Sequence, residues 1–158
     1  MASEQKIVSL PEALEIRKNW ATQQEKVVFT NGCFDILHLG HVDYLEKASQ
    51  TGTQLIVGVN TDRSVKALKG PERPIHSEYA RARLIAALGF VSLVIIFDED
   101  TPLELIKSLG PDVLIKGNDY SIDTIVGAKE VIEMGGEVCT IALVPNYSTT
   151  GIIQKLKK

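Results

Sequence analysis

Five short apolar runs punctuate the chain: 26–30 (KVVFT), 54–60 (QLIVGVN), 91–97 (VSLVIIF), 112–116 (DVLIK) and 137–144 (EVCTIALV). Each is nearly continuous in hydrophobicity and rich in Val and Ile, the pattern of strands buried on both faces of a parallel sheet. Between and after them, apolar positions recur with the helical period over 40–50, 77–88, 101–109, 124–134 and 149–157. Strand and helix alternate, which predicts an α/β fold: a Rossmann-like, doubly wound parallel sheet of about five strands in a single domain, with right-handed crossovers. That domain is placed at 26–158. Residues 10–24 form a further amphipathic pattern, so 1–25 is read as an N-terminal helical extension. The longest irregular stretch is 66–76, KALKGPERPIH.

In such sheets ligands bind beyond the carboxyl ends of the strands, where strand order reverses. Four loops follow strand ends here and carry polar chemistry: 30–41, 60–76, 116–120 and 145–151. In the first, His38 and His41 flank Gly40 where strand gives way to helix. A spacing of three puts both imidazoles on one face of the first helical turn, where backbone N–H groups lack partners and carry partial positive charge. With Gly40 admitting close approach, this makes an anion site. Two surface or capping histidines, or part of a zinc site, are the alternative readings. The zinc reading lacks a third convergent ligand, since His76 is distant.

Lys66, Lys69 and Arg73 make the 66–76 segment basic. It is either a solvated loop or a mobile one that closes over a polyphosphate, loosely held until its charges find that partner. Arg81 and Arg83 lie early in the next helix, against the dipole preference, so one of them is a candidate to face an anion, with a solvated face as the alternative. Ser148, Thr149 and Thr150 precede Gly151 at the start of the last helix, more hydroxyls than a cap needs. There is no G-x-x-x-x-G-K-[ST] loop, no G-x-G-x-x-G fingerprint and no nucleophile-base-acid set. The equipment suits positioning and charge stabilisation of a phosphate-rich ligand.

Composition narrows this little. The chain has 158 residues, 44% hydrophobic and 23% charged, with net charge −3, so neither nucleic acid nor a membrane surface is an expected partner. Cys33 and Cys139 have no metal-type spacing, and the first twenty residues carry Glu4, Glu12 and Glu15 without an apolar core. A cytoplasmic setting is expected.

Gly32-Cys33-Phe34-Asp35-Ile36-Leu37-His38-Leu39-Gly40-His41 resembles the G-x-F-D-x-x-H-x-G-H signature of the cytidylyltransferase-like nucleotidyltransferase superfamily. NTDRSVKALKGPERPI, RARLIAAL, IFDEDTPLELI, PDVLIKGNDY, GAKEV and YSTTGII together are similar to the adenylyltransferase domain of ADP-heptose synthases. The resemblance runs from about Lys26 to the C-terminus. It implies transfer of AMP from ATP to D-glycero-β-D-manno-heptose 1-phosphate, giving ADP-heptose and pyrophosphate for lipopolysaccharide core or related glycans. It also implies catalytic roles for His38, His41 and Lys69. Asn31, Gly32, Cys33, Phe34, Gly40, Lys66, Asp119, Ser148 and Thr149 would bind nucleotide, with Ser148 and Thr149 donating to the β/γ end. Arg73, Arg81, Lys116 and Asn118 are substrate or phosphate candidates, and Asp35 is read as a brace for its loop. Mg²⁺ is expected with ATP, carried mainly by phosphates and water, with no protein metal site. Many relatives carry a sugar kinase ahead of this domain. Residues 1–25 are too few for one, so a separate chain is expected to supply that step, and a homodimer is the expected assembly. Many superfamily members have arginine where Ile153 stands, and the heptose branch tends to an aliphatic residue there. Glycerol-3-phosphate cytidylyltransferase, flavin or pantetheine-phosphate adenylyltransferase, and a non-catalytic nucleotide-binding module are the rival readings.

Overall fold

In a computed structural model describing residues 1–158, each apolar run is a strand. The elements are α1 (Leu10–Thr22), β1 (Val27–Gly32), α2 (Leu39–Ser49), β2 (Gln54–Asn60), α3 (Asp62–Lys69), α4 (Glu78–Ala86), β3 (Leu93–Phe97), α5 (Leu103–Leu109), β4 (Val113–Gly117), α6 (Ala128–Glu133), β5 (Glu137–Ile141) and α7 (Thr149–Leu156). All five strands are parallel, in the order β3-β2-β1-β4-β5. Order therefore reverses between β1 and β4, and a crevice opens at their carboxyl ends.

The ladder itself makes that crevice. β1 pairs with β2 from Val27 to Gly32, but with β4 only at Val28↔Val113 and Phe29↔Leu114. Beyond this point side chains take up the backbone carbonyls the ladder abandons. The Thr30 hydroxyl donates to the Ile115 carbonyl at 2.9 Å, so the Tyr44 hydroxyl, 2.7 Å away, must donate to Thr30 Oγ1. Lys116 Nζ donates to the Asn31 carbonyl at 3.2 Å.

Each sheet face carries its own core. On one, Val28, Val57, Val59, Val113 and Ile115 pack under Tyr44, Leu45, Ala82 and Ile85 of α2 and α4. On the other, Phe29, Ile56, Ile95, Phe97 and Leu114 pack under Ala13, Leu105, Ile106 and Val131 of α1, α5 and α6. α1 begins with a capping box, Ser9 with Glu12, and Pro11 in its first turn. Just before it, Ile7 bridges to Val94 and the Val8 amide donates to the Val94 carbonyl at 3.0 Å, covering the free edge of β3. Ala13, Leu10, Leu14, Ile16 and Trp20 thus share the second core, while Ile7 packs against the first. No helix is long and apolar enough to cross a membrane.

Three boundaries differ from expectation. Residues 66–69 are helical, the last turn of α3, which Thr61 caps by accepting from the Ser64 amide and Gly70 ends at φ 105°. The 124–134 helix is interrupted at Gly127 (φ 85°), so a short 3₁₀ turn over 122–124 precedes α6. β5 stops at Ile141, and 142–147 is a loop over the crevice.

Candidate active site

The loop that leaves β1 is strained. Phe34 (φ 49°) and Ile36 (φ 53°) both lie in the left-handed region, which a β-branched residue rarely visits. The Asp35 side chain holds the loop in place. It is buried, and takes hydrogen bonds from Arg73 Nε (3.0 Å), the Ile75 amide (2.8 Å) and the His76 amide (3.0 Å). Burial alone would raise its pKa; these three donors outweigh burial and hold the carboxyl below its ordinary range.

His38 is the N-cap of α2, and its carbonyl accepts from the His41 and Val42 amides. The Leu39 and Gly40 amides have no protein acceptor. The two imidazoles stack, with centroids 3.7 Å apart and planes 21° apart, and each has a buried Nδ1 without a hydrogen-bond partner. Burial lowers the pKa of His38. It takes His41 down to about 4, with His38 beside it acting in the same sense. Both rings are therefore neutral at pH 7 in the free protein. A Cβ on Gly40 would meet His38 Cε1 at 2.9 Å and Tyr147 Cβ at 3.2 Å, so this helix end admits no larger residue without displacing both.

α7 aims a second helix N-terminus at the same space. Ser148 caps it by accepting from the Gly151 amide at 3.0 Å, and the Thr149 and Thr150 amides have no protein acceptor. Thr149 Oγ1 donates to the Asp35 carbonyl at 2.6 Å, tying α7 to the strained loop. The open cleft between them holds about 550 Å³ and is lined from both sides of the switch point.

A family model described as cytidylyltransferase-like matches residues 29–155, most of the chain and all of this cleft's strand ends. The chain belongs to the cytidylyltransferase-like family. The bifunctional protein HldE of Methylobacillus flagellatus is 54% identical over 155 residues, 98% of this cytidylyltransferase-like chain and 32% of the relative. HldE of Azotobacter vinelandii is 52% identical over 156 residues, 99% of this chain and 33% of that one. The chain thus spans about a third of the length of the curated relatives it matches. Among solved structures, the lipopolysaccharide core biosynthesis protein from Thermoplasma volcanium superposes with a TM-score of 0.62 at 28% identity, covering 78% of this chain and 99% of that one. The pantoate-β-alanine ligase of Francisella tularensis, at 14% identity and TM-score 0.62, shares the fold; the match covers 96% of this chain and 76% of that one.

Within this cytidylyltransferase-like cleft the structure gathers Asn31, Gly32, Cys33, Phe34, His38, Gly40, His41, Lys69, Arg73, Lys116, Asp119, Ser148 and Thr149. Four expectations need correction. Arg81 does not face an anion: it is fully buried and donates to the His76 carbonyl, the Cys33 carbonyl and Asp62 Oδ1. Lys66 is exposed beside Pro71, Pro74 and Ser77 and does not line the cleft. Asn118 is exposed and does not line it. The Thr149 hydroxyl hydrogen is engaged by the Asp35 backbone carbonyl, so its backbone amide is the donor left for an anion. The segment 66–76 is also not loose throughout, because Asp35 pins Arg73, Ile75 and His76. The sequence reading passed over Asn60, Asp100 and Tyr147, which also line the cleft. Asn60 had a usable signal: a polar residue closing the apolar run QLIVGVN at a carboxyl strand end.

Proposed function

We propose that this chain is an adenylyltransferase that joins AMP from ATP to D-glycero-β-D-manno-heptose 1-phosphate, releasing pyrophosphate. The observation that carries this is the meeting of two helix N-termini, α2 and α7, around a stacked histidine pair at the sheet's switch point. The HldE relatives and the lipopolysaccharide core biosynthesis protein support the choice of acceptor. The free amides of Leu39, Gly40, Thr149 and Thr150 cradle the triphosphate. His38 and His41 donate to its oxygens as charge moves onto the departing pyrophosphate, and Lys69 reaches it from the end of α3. The kinase that makes the acceptor lies outside these 158 residues.

Magnesium accompanies the nucleotide. Asp35 has both oxygens engaged, no three His, Cys, Asp or Glu side chains converge into a cage, and the remaining cleft carboxylates, Asp100 and Asp119, are exposed. This donor set fits an ion carried by phosphates and water.

Two measurements test the reading. Pyrophosphate release is expected with ATP and heptose 1-phosphate, and little with CTP and glycerol 3-phosphate; preference for CTP would remove the heptose assignment. Hydrogen exchange tests the lid. The Ile75 and His76 amides, held by Asp35, should be protected with or without nucleotide. That of Glu72, which has no acceptor in the protein, should exchange fast in the free protein and slow with Mg·ATP. Equal exchange of Glu72 in both states would leave Lys69 as a static part of the wall.

A further inference from the structure

What holds α2 decides where His38 and His41 stand. The buried side chains of that helix are Tyr44, Leu45 and Ala48, all in the first core. Apolar contact has no direction of its own, so it leaves a helix room to turn about its axis or slide along the sheet. Directional contacts are scarce. Lys47 pairs with Asp43 and Ser49 donates to the Glu46 carbonyl, both within the helix. Of the hydrogen bonds and ion pairs made by the side chains of residues 39–49, one reaches the sheet: the Tyr44 hydroxyl donates to Thr30 Oγ1 at 2.7 Å. Thr30 is fully buried and Tyr44 nearly so.

Any acceptor would satisfy a buried phenol. This one stands where the sheet opens. Register between β1 and β4 ends at Phe29↔Leu114, so Thr30 is the first β1 residue past it. The Thr30 hydroxyl donates across the gap to the Ile115 carbonyl at 2.9 Å. One oxygen atom thus joins β1, β4 and α2. Tyr44 follows His41 by three residues, so the two share a helix face, and both line the cleft. A turn of α2 about its axis would move the imidazoles and the free Leu39 and Gly40 amides together.

We infer that Tyr44 is a positioning residue: through Thr30, its hydroxyl sets the rotation and height of α2, and with them the place of the His38 and His41 imidazoles at the switch point. The inference rests on the proposed adenylyl transfer. It locates the precision of the histidines in a hydroxyl whose one hydrogen is committed inside the protein. A donor stabilises developing charge when it is already aimed at the place where that charge will appear. A displacement of about 1 Å can cost about 10²-fold in rate. A helix seated by apolar contact alone gives up part of that aim.

Tyr44→Phe removes the hydroxyl and keeps the ring. We expect kcat for pyrophosphate release to fall about 10-fold, while Tm drops by only about 2–4 °C, as for one neutral hydrogen bond. In a His41→Ala background the same substitution should cost less than about 3-fold, because the stacked pair it aims is already broken. Thr30→Ser, which keeps both hydrogen bonds, should stay near wild type, and Thr30→Val, which removes both, should lose at least as much kcat as Tyr44→Phe. A second readout needs no substrate. In the wild type His41 titrates at about 4, lowered by burial and by His38 and raised by Asp35. A loosened α2 admits water to the ring, so in Tyr44→Phe the midpoint followed by NMR should rise toward 6.5. An unchanged kcat, an equal cost in both backgrounds, or an unchanged His41 midpoint overturns the assignment. If Thr30→Val does not fold, Tyr44→Phe and Thr30→Ser carry the comparison. A wild type that releases no pyrophosphate with any sugar phosphate overturns the adenylyl-transfer reading, while the His41 midpoint still decides the tether.

Discussion

His41→Ala should keep its fold and lose roughly 10²–10³ in kcat, the cost of removing one positioned donor to a developing charge. The imidazole is half-buried and neutral, with a buried, unpartnered Nδ1, so truncation leaves no stranded charge behind. His38→Ala should fall in the same range. The double variant should lose much less than the product of the two, because rings stacked at 3.7 Å act as one unit. Stability gives an independent check. An unfolded histidine takes up a proton near its ordinary value of 6.5, while folded His41 resists until about 4. The unfolded state therefore binds more protons across that window, and wild-type stability falls as pH drops through it. His41→Ala should flatten this limb. Near-normal turnover in either single variant would reduce that histidine to a helix cap.

Asp35→Ala should destabilise the protein by about 3–5 kcal/mol, the usual cost of deleting one partner of a buried charge pair. Arg73 loses its carboxylate, and the Ile75 and His76 amides lose their acceptors in the same step. Because the folded carboxyl lies below its ordinary range, its contribution is present at neutral pH and fades as pH falls through the folded value. Asp35→Asn should be milder, since one oxygen remains an acceptor. Urea denaturation at pH 7 reads both variants, and a loss below about 1 kcal/mol for the alanine would mean that the loop is held by something else. Activity should fall further than stability alone explains, because a loop released from Arg73, Ile75 and His76 no longer fixes the backbone carbonyl that receives Thr149 of α7.

The strands β1 to β4 were legible because burial on both faces leaves them nearly continuous apolar runs, with polar residues mostly toward their ends, a one-dimensional signal. The start of α2 was legible because a glycine between two histidines has few other uses at a strand end. α3 was missed because, in DRSVKALK, only Ser64 and Val65 are buried, and a helix that rests one narrow edge on the sheet looks like a basic loop. Its Thr61 cap and terminal Gly70 were the readable marks. Arg81 could not be placed from sequence, since its burial depends on acceptors at residues 33, 62 and 76 that only the tertiary fold brings together. Lys66 and Lys69 look alike along the chain, and only Lys69, the terminal residue of α3, reaches the cleft.

The bond from Thr149 to the Asp35 carbonyl spans 114 residues of chain. A ribosome makes the strained loop and the histidine helix early, yet their counterpart at 148–150 appears only after four further strands. Until then the nascent polypeptide presents half of an anion cradle. Growing chains should therefore be unable to sequester nucleotide, and competence should arrive as a single late event when the second helix end docks.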